Sequence, residues 1–401
     1  MGHEGKSGEK SRREFLAGSM GAIAAAKLGS KFMRIDSGEG ALSAAAKSAA
    51  SSPSRGLAPT AASRLLAPTA ASPHRIIIDT DPGVDDALAI LLALRSPELQ
   101  VEAITPVAGN VPLEFTLPNA LKLVEIAGRT DVPVAAGARN PLVRRLITGE
   151  HVHGNNGLAG VDFPEPKIKP VAETATEIIR RIVRANPGEI SIVAVGPLTN
   201  VALALRADPD LAGKLRSIVI MGGSLSGGNV TPAAEFNLYV DPEAARIVFD
   251  AGVPLTMVGL DVTRKVLFTE DRLKVMETAK NPSGVAAGRI MRATLERLNH
   301  GPHPMIEAMH DPLTVANLID PGILTLKDYY VEVETEGEFT AGQTLGYSYA
   351  PARGSAPMAT AEKQDGTGVL ATDAVFKANT KVAVEVDPER FFKLLLGRLT
   401  A

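Results

Sequence analysis

Four carboxylates crowd into eight positions of one short stretch, IIIDTDPGVDD at 76–86. They are Asp79, Asp81, Asp85 and Asp86, with Pro82 and Gly83 turning the chain between them. Like charges this close repel unless some take up protons or a cation sits among them. The chain has no cysteine, so a cation must be held by oxygen or imidazole. Oxygen donors about a tight turn suit a hard divalent ion. Calcium tolerates irregular coordination, whereas magnesium demands a stricter octahedron. The spacing is not that of an EF-hand loop, because the later oxygen positions and the closing Glu are missing. Capping offers a plainer account, since a helix starting near Asp86 draws anions to its first turn. It covers one or two of the four and leaves Asp79 and Asp81, ahead of the turn, unexplained.

The surrounding pattern says how such residues are positioned. RIIID (75–79) reads as a buried strand, and DALAILLALRS (86–96) as a helix that is apolar nearly all round. The alternation continues with strand 101–109, helix 116–128 closed by Gly128, helix 175–188 and strand 190–196. Helix 198–209, strand 217–223, helix 242–252 and strand 254–261 follow. Strand–helix alternation with continuously apolar strands predicts an α/β fold, a mainly parallel central sheet with helices on both faces. Ligands bind such sheets beyond the carboxyl ends of the strands. The Asp cluster, Asn110, GPLTN (196–200) and GGSLSGGN (222–229) each follow a strand, so all four fall at one rim.

The chain has 401 residues, 45% hydrophobic and 22% charged, with formal net charge −3. That length allows one large domain or two ordinary ones. The near-neutral balance argues against an extended nucleic-acid surface. Before the alternation begins, SRREFLAGSMGAIAAAKLG (11–29) places Arg12 and Arg13, then Phe15 and Leu16, ahead of a weakly apolar Ala/Gly segment. The order is similar to a twin-arginine export signal, and the apolar part is too short for a membrane span. This assigns 1–33 as an export signal read by the twin-arginine machinery, with a periplasmic or extracellular destination. Residues 34–73 are rich in Ala, Ser and Pro, with LAPTAAS at 57–63 recurring at 66–72, and read as a disordered linker. The folded part is then a single catalytic domain, 74–401.

An ordered set of motifs in that part resembles the nucleoside hydrolase family of the inosine–uridine-preferring kind. They are DTDPGVDDALAI (79–90), GN (109–110), HGNNGL (153–158), VGPLTN (195–200), MGG (221–223), GNVTPAAEFN (228–237), DPEAA (241–245) and HDPLTVA (310–316). A lone DxDPGxDD is suggestive; so many in order exclude accident. The resemblance implies the Rossmann-like nucleoside hydrolase fold, one bound calcium ion, and hydrolysis of a ribonucleoside to free base and ribose. By matching position, Asp81, Asp86 and Asp311 would ligate calcium with carboxylates and Val195 with its backbone carbonyl. Relatives often have Thr at 195, but only the carbonyl is used.

The resemblance further implies that calcium lowers the pKa of a bound water and that Asp81 removes its proton as general base. Asp85, Asn229, Glu235 and Asn237 would grip the ribose, with Asn110 close to the water or sugar and Asp79 orienting. The sugar would pass through an oxocarbenium-like state stabilised by the anionic pocket. His310 would protonate the leaving base, since imidazole titrates near neutrality. His153 is a pocket wall or second base contact, Phe236 core or a stacking ring, and Met221 a strand-end residue at the pocket. A homodimer or homotetramer is the implied assembly.

The likeness weakens toward the C-terminus. Residues 345–377, rich in Ala, Gly and Ser, read as an extended loop or insertion carrying Tyr347, Tyr349 and Arg353. Strand 381–387 and helix 388–399 close the chain, and 263–301 reads as a helical region flanking the pocket. Two other functions stay open. Asp79 and Asp81 form the Asp-x-Asp of a magnesium phosphatase of the haloacid-dehalogenase type, but neither the Pro-Gly-x-Asp-Asp nor His310-Asp311 fits it. An exported nucleoside-binding protein without turnover would keep the pocket and lose the chemistry.

Overall fold

A computed structural model describes residues 72–298, 306–348 and 377–401. The expected export signal at 1–33, all but the end of the expected linker at 34–73, and most of 345–377 with Tyr349 and Arg353 lie outside the described residues.

Ten strands run in chain order: β1 (His74–Thr80), β2 (Leu99–Pro106), β3 (Ile190–Ala194), β4 (Ser217–Met221), β5 (Leu255–Val258), β6 (Leu267–Thr269), β7 (Ile306–Ala308), β8 (Leu324–Val333), β9 (Thr344–Tyr347) and β10 (Thr380–Val386). Eight form one sheet in the order β2-β1-β3-β4-β5-β10-β8-β9. The six strands from β2 to β10 in this order pair in parallel, and β8 and β9 continue the sheet by antiparallel pairing. The sheet is therefore mainly parallel, as the alternation predicted.

Both faces are buried, which is why the strands read as unbroken apolar runs. Side chains alternate across a strand: Ile76 and Ile78 enter the core on one face, and Ile77 enters the core on the other. Helices Ala175–Ala185, Thr199–Ala207 and Pro242–Phe249 cover the Ile77 face. The opposite face takes helix Val84–Leu94, buried along its whole length. It packs against helices Leu113–Ile126, Pro282–Leu298 and His310–Ile319, so its all-round apolar surface is used up.

Strand order creates the working crevice. The chain steps from β1 to β2 on one side, then crosses to β3 on the other. Ends of β1 and β3 thus diverge at a topological switch point, where ligands of such sheets bind.

Two expectations need correction. The 263–301 region is not wholly helical: β6 interrupts it and pairs antiparallel with β7 as a separate two-stranded sheet. The 345–377 segment does not begin as loop, because Leu345, Gly346 and Tyr347 pair with β8 as part of β9. In both places the strands are three or four residues long, too short to show a period of two.

Candidate active site

The switch point gathers the acidic residues. Asp79 is the sixth residue of β1, paired in register with Thr105 and Ala194. Its Oδ1 accepts from Thr105 Oγ1 at 2.6 Å and Asn200 Nδ2 at 2.8 Å, while its buried Oδ2 has no partner among the described residues. Asp81 follows the strand end and is fully buried. Its Oδ2 accepts from the Asn110 backbone N–H at 2.7 Å, and its buried Oδ1 is without a partner among the described residues.

Pro82 and Gly83 then turn the chain into helix Val84–Leu94, whose first turn carries Asp85 and Asp86. Asp86 does cap: it accepts from the N–H groups of Asp81 (3.1 Å) and Gly83 (3.0 Å), and from Thr80 Oγ1 and Asn110 Nδ2. From the far end of the sequence, the first turn of helix His310–Ile319 adds Asp311. One carboxylate oxygen from each of Asp85, Asp86 and Asp311 lies within 4.8 Å of the others, all three residues buried.

The electrostatics follow from burial without counter-charge. Asp81 is pushed well above the usual carboxylate range, first by burial and then by the charge of Asp86. Asp311 is raised likewise, by burial and then by Asp85, Asp86 and Asp81. Burial lifts Asp85 and Asp86 to about 6, with the Asp85 charge adding to Asp86. Among the described residues, no cationic side chain is a leading cause of the shift at any of the four. A buried all-oxygen set lacking positive charge, with an orphaned Asp81 oxygen, fits a hard divalent cation. The residues present could hold one.

Above this floor is a cavity of about 180 Å³. It is lined by Asp85, Asn110, His153, Val195, Met221, Asn229, Glu235, Phe236, Asn237, His310 and Asp311. Every candidate site residue read from the sequence is there except Asp79, Asp81 and Asp86, which lie buried but do not line the cavity. The β3–β4 side supplies a backbone frame. Asn237 Nδ2 donates to the carbonyls of Val195 (3.1 Å) and Met221 (3.2 Å). Glu235 caps the Phe236–Val240 turn, accepting from Asn237 and Leu238 N–H, and also binds Gly223 N–H at 3.0 Å. Burial raises its carboxyl to about 7. Asn229 Oδ1 accepts from Phe236 N–H at 2.9 Å, which leaves its Nδ2 for a ligand.

The two histidines are held by one ring nitrogen each. His310 Nδ1 lies 2.8 Å from Thr263 Oγ1, and His153 Nδ1 accepts from Val84 N–H at 3.1 Å. Burial depresses His310 to about 4, helped by Arg264, and His153 to about 3, helped by the charges of His310, His151 and Arg297. Both are neutral imidazoles at pH 7.

One placement differs in emphasis from the sequence reading. Asp85, there given to the sugar, has its oxygen in the compact trio. The carboxyl of Asp81, there given to the metal, lies between Gly109 and Gly196: a Cβ added at Gly196 would lie 2.5 Å from its Oδ1, and one at Gly109 would overlap its Oδ2. The sequence reading also missed Gly149, His151, Val152, Val230 and Glu307 as lining residues. His151 stands two positions before His153, and Glu307 three before His310, so proximity to a motif was the available signal. That close fit makes a prediction. Gly196→Ala must displace the Asp81 carboxyl or the Val195 loop, and an ångström of misplacement costs roughly a hundredfold in rate. A comparable fall in kcat/KM at nearly unchanged Tm is expected.

Fold and site together define an α/β enzyme that handles a small polar molecule over an acidic, cation-competent floor. The model of the inosine-uridine preferring nucleoside hydrolases matches residues 76–393, and the chain belongs to that family. It is a nucleoside hydrolase, cleaving the N-glycosidic bond of ribonucleosides. Among its relatives are the pyrimidine-specific ribonucleoside hydrolases RihA of Enterobacter sp. (strain 638), 41% identical, and Escherichia coli O1:K1, 42% identical. Each match covers 81% of this chain and 97% of the relative. A solved plant nucleoside hydrolase is 37% identical with TM-score 0.72, covering 82% of this chain and 99% of that one. A purine-preferring ribonucleoside hydrolase from Gardnerella vaginalis is 31% identical with TM-score 0.70, covering 81% and 98%.

Proposed function

We propose that the chain is a calcium-dependent ribonucleoside hydrolase, with pyrimidine ribonucleosides the first substrates to expect. The observation that carries this is the buried trio of Asp85, Asp86 and Asp311 beneath a cavity framed by amides and neutral imidazoles. The substrate expectation comes from the names of the relatives near 42% identity. Asp86, Asp311, Asp81 and the Val195 carbonyl would hold the ion, with Asp85 close enough to share it. When bound, calcium would supply positive charge that orients sugar hydroxyls and acidifies a water.

The protein's own residues do the rest. Asp81 takes the proton from the attacking water as general base. The C1′–N bond breaks as the C1′–O bond forms. Asp85, Glu235, Asn237 and the Asn229 Nδ2 grip the ribose, and the carboxylate charge of the floor stabilises the positive charge that grows on its ring. With Thr263 donating to His310 Nδ1, the neutral ring carries its proton on Nε2 and donates it as a hydrogen bond that stabilises the negative charge growing on the departing base.

Export by the twin-arginine route, from the Arg12-Arg13 motif, and assembly as a homodimer or homotetramer belong to the same proposal. The test is to incubate purified protein with uridine, cytidine, inosine and adenosine and follow free base and ribose, with and without a calcium chelator. Base release from at least one nucleoside, lost on chelation and regained with added calcium, is expected. Turnover indifferent to chelation would overturn the calcium assignment.

A further inference from the structure

Glu307 has no role in the chemistry above, yet its carboxyl lines the same cavity. It is the middle residue of β7, where pairing with Phe268 of β6 fixes its backbone opposite a fully buried ring. The chain runs from there through Met309 into the His310–Ile319 helix, so Glu307 and His310 reach the cavity from one continuous segment. Burial, with the Asp85 charge second, pushes the Glu307 carboxyl up to about 8, and among the described residues no hydrogen bond opposes the shift. A carboxyl in this setting is costly to keep unless a ligand supplies its partner.

The rest of the lining suggests which part of the ligand that is. Asp85, Glu235 and Asn237 serve the sugar. Val152, Val230 and Phe236 offer apolar surface to a flat ring, and His310 serves the leaving nitrogen. A heterocycle on that surface has its polar edge still to satisfy.

We infer that Glu307 is a specificity-determining residue that engages the polar edge of the nucleobase. The inference rests on the nucleoside reading of the cavity. As a neutral acid, Glu307 donates through O–H to a ring nitrogen or carbonyl oxygen and accepts through C=O from the neighbouring N–H. Any base with an acceptor beside a donor, such as uracil, cytosine or hypoxanthine, provides that two-point match. A buried site built for such a bond rejects a ligand unable to make it.

The experiment compares each nucleoside with 4-nitrophenyl β-D-ribofuranoside, whose leaving group lacks an adjacent donor–acceptor pair. For Glu307→Leu, the kcat/KM ratio of nucleoside to nitrophenyl riboside should fall by roughly tenfold to a hundredfold. Glu307→Gln, which keeps one donor and one acceptor, should restore most of the ratio. Nitrophenyl release also reports that each variant is folded. A ratio within threefold of wild type in Glu307→Leu, or an equal fall in both variants, overturns the inference. Wild-type protein that cleaves neither substrate class would overturn the nucleoside reading itself, and the inference with it.

Discussion

Asp81→Asn is expected to lower kcat/KM for any ribonucleoside by at least about a thousandfold, the upper part of the range for removing a positioned general base. The substitution keeps the shape and the bond from Asn110 N–H to the side-chain oxygen, but it removes the charge and the proton acceptor. Stability should move the other way. Asp81 is buried beside Asp85 and Asp86, whose charges disfavour its own. Its neutralisation therefore relieves repulsion in the metal-free protein, so Tm without calcium should hold or rise. The Tm gain from added calcium should shrink, because one source of attraction is gone. Kinetics and thermal melts on the same preparation separate this from misfolding. An Asn variant with more than a tenth of wild-type kcat/KM would remove Asp81 from the role of base.

What the sequence disclosed depended on how much of the signal was local. The β1 turn, the Asn110 corner, the Val195 loop and the Asn229–Asn237 segment each sit just after a strand of a parallel sheet. Alternation alone therefore places them on one rim. Asp311 is 225 positions from Asp86, and only the ordered motif set connected them. The division of labour between Asp81 and Asp85 was less legible. Asp81 lies before the Pro82-Gly83 turn and Asp85 after it, in the first turn of the Val84–Leu94 helix. The geometry of the Pro-Gly turn, which sequence periodicity does not carry, decides how the two carboxylates stand relative to Asp86. Glu307 was out of reach for a different reason. Its position depends on a three-residue strand whose partner, β6, lies inside a segment that reads as helix. Burial there comes from tertiary pairing, which no short-range period announces.

Calcium should reverse the pH dependence of stability. In the metal-free protein Asp79 and Glu235 titrate near 7, Asp85 and Asp86 near 6, and Asp81 and Asp311 higher than usual. Each of these acids is raised above its unfolded value, so the folded state holds more protons than the unfolded one between about pH 4 and 7. Stability contributed by protonation is complete below the unfolded pKa and is lost as pH rises through the folded one. His153 and His310 act oppositely, since they stay neutral when folded to about 3 and 4, so stability falls as pH drops below about 6.5, where the unfolded imidazoles take up protons. Six acids outweigh two imidazoles between pH 5.5 and 8. Metal-free protein should therefore melt higher at pH 5.5 than at pH 8, by on the order of 5 °C. Saturating calcium stabilises by about 4 kcal/mol at a thousandfold excess over Kd, on the order of 10 °C. It does so in full only where it need not displace protons from its ligands. The gain should thus be large at pH 8 and small at pH 5.5, enough to invert the order of the two melting temperatures. Calorimetric titration near pH 6.5 in buffers of different ionisation enthalpy should register proton release on binding. A calcium-induced shift of equal size at both pH values, with no protons released, would place the ion somewhere other than this carboxylate floor.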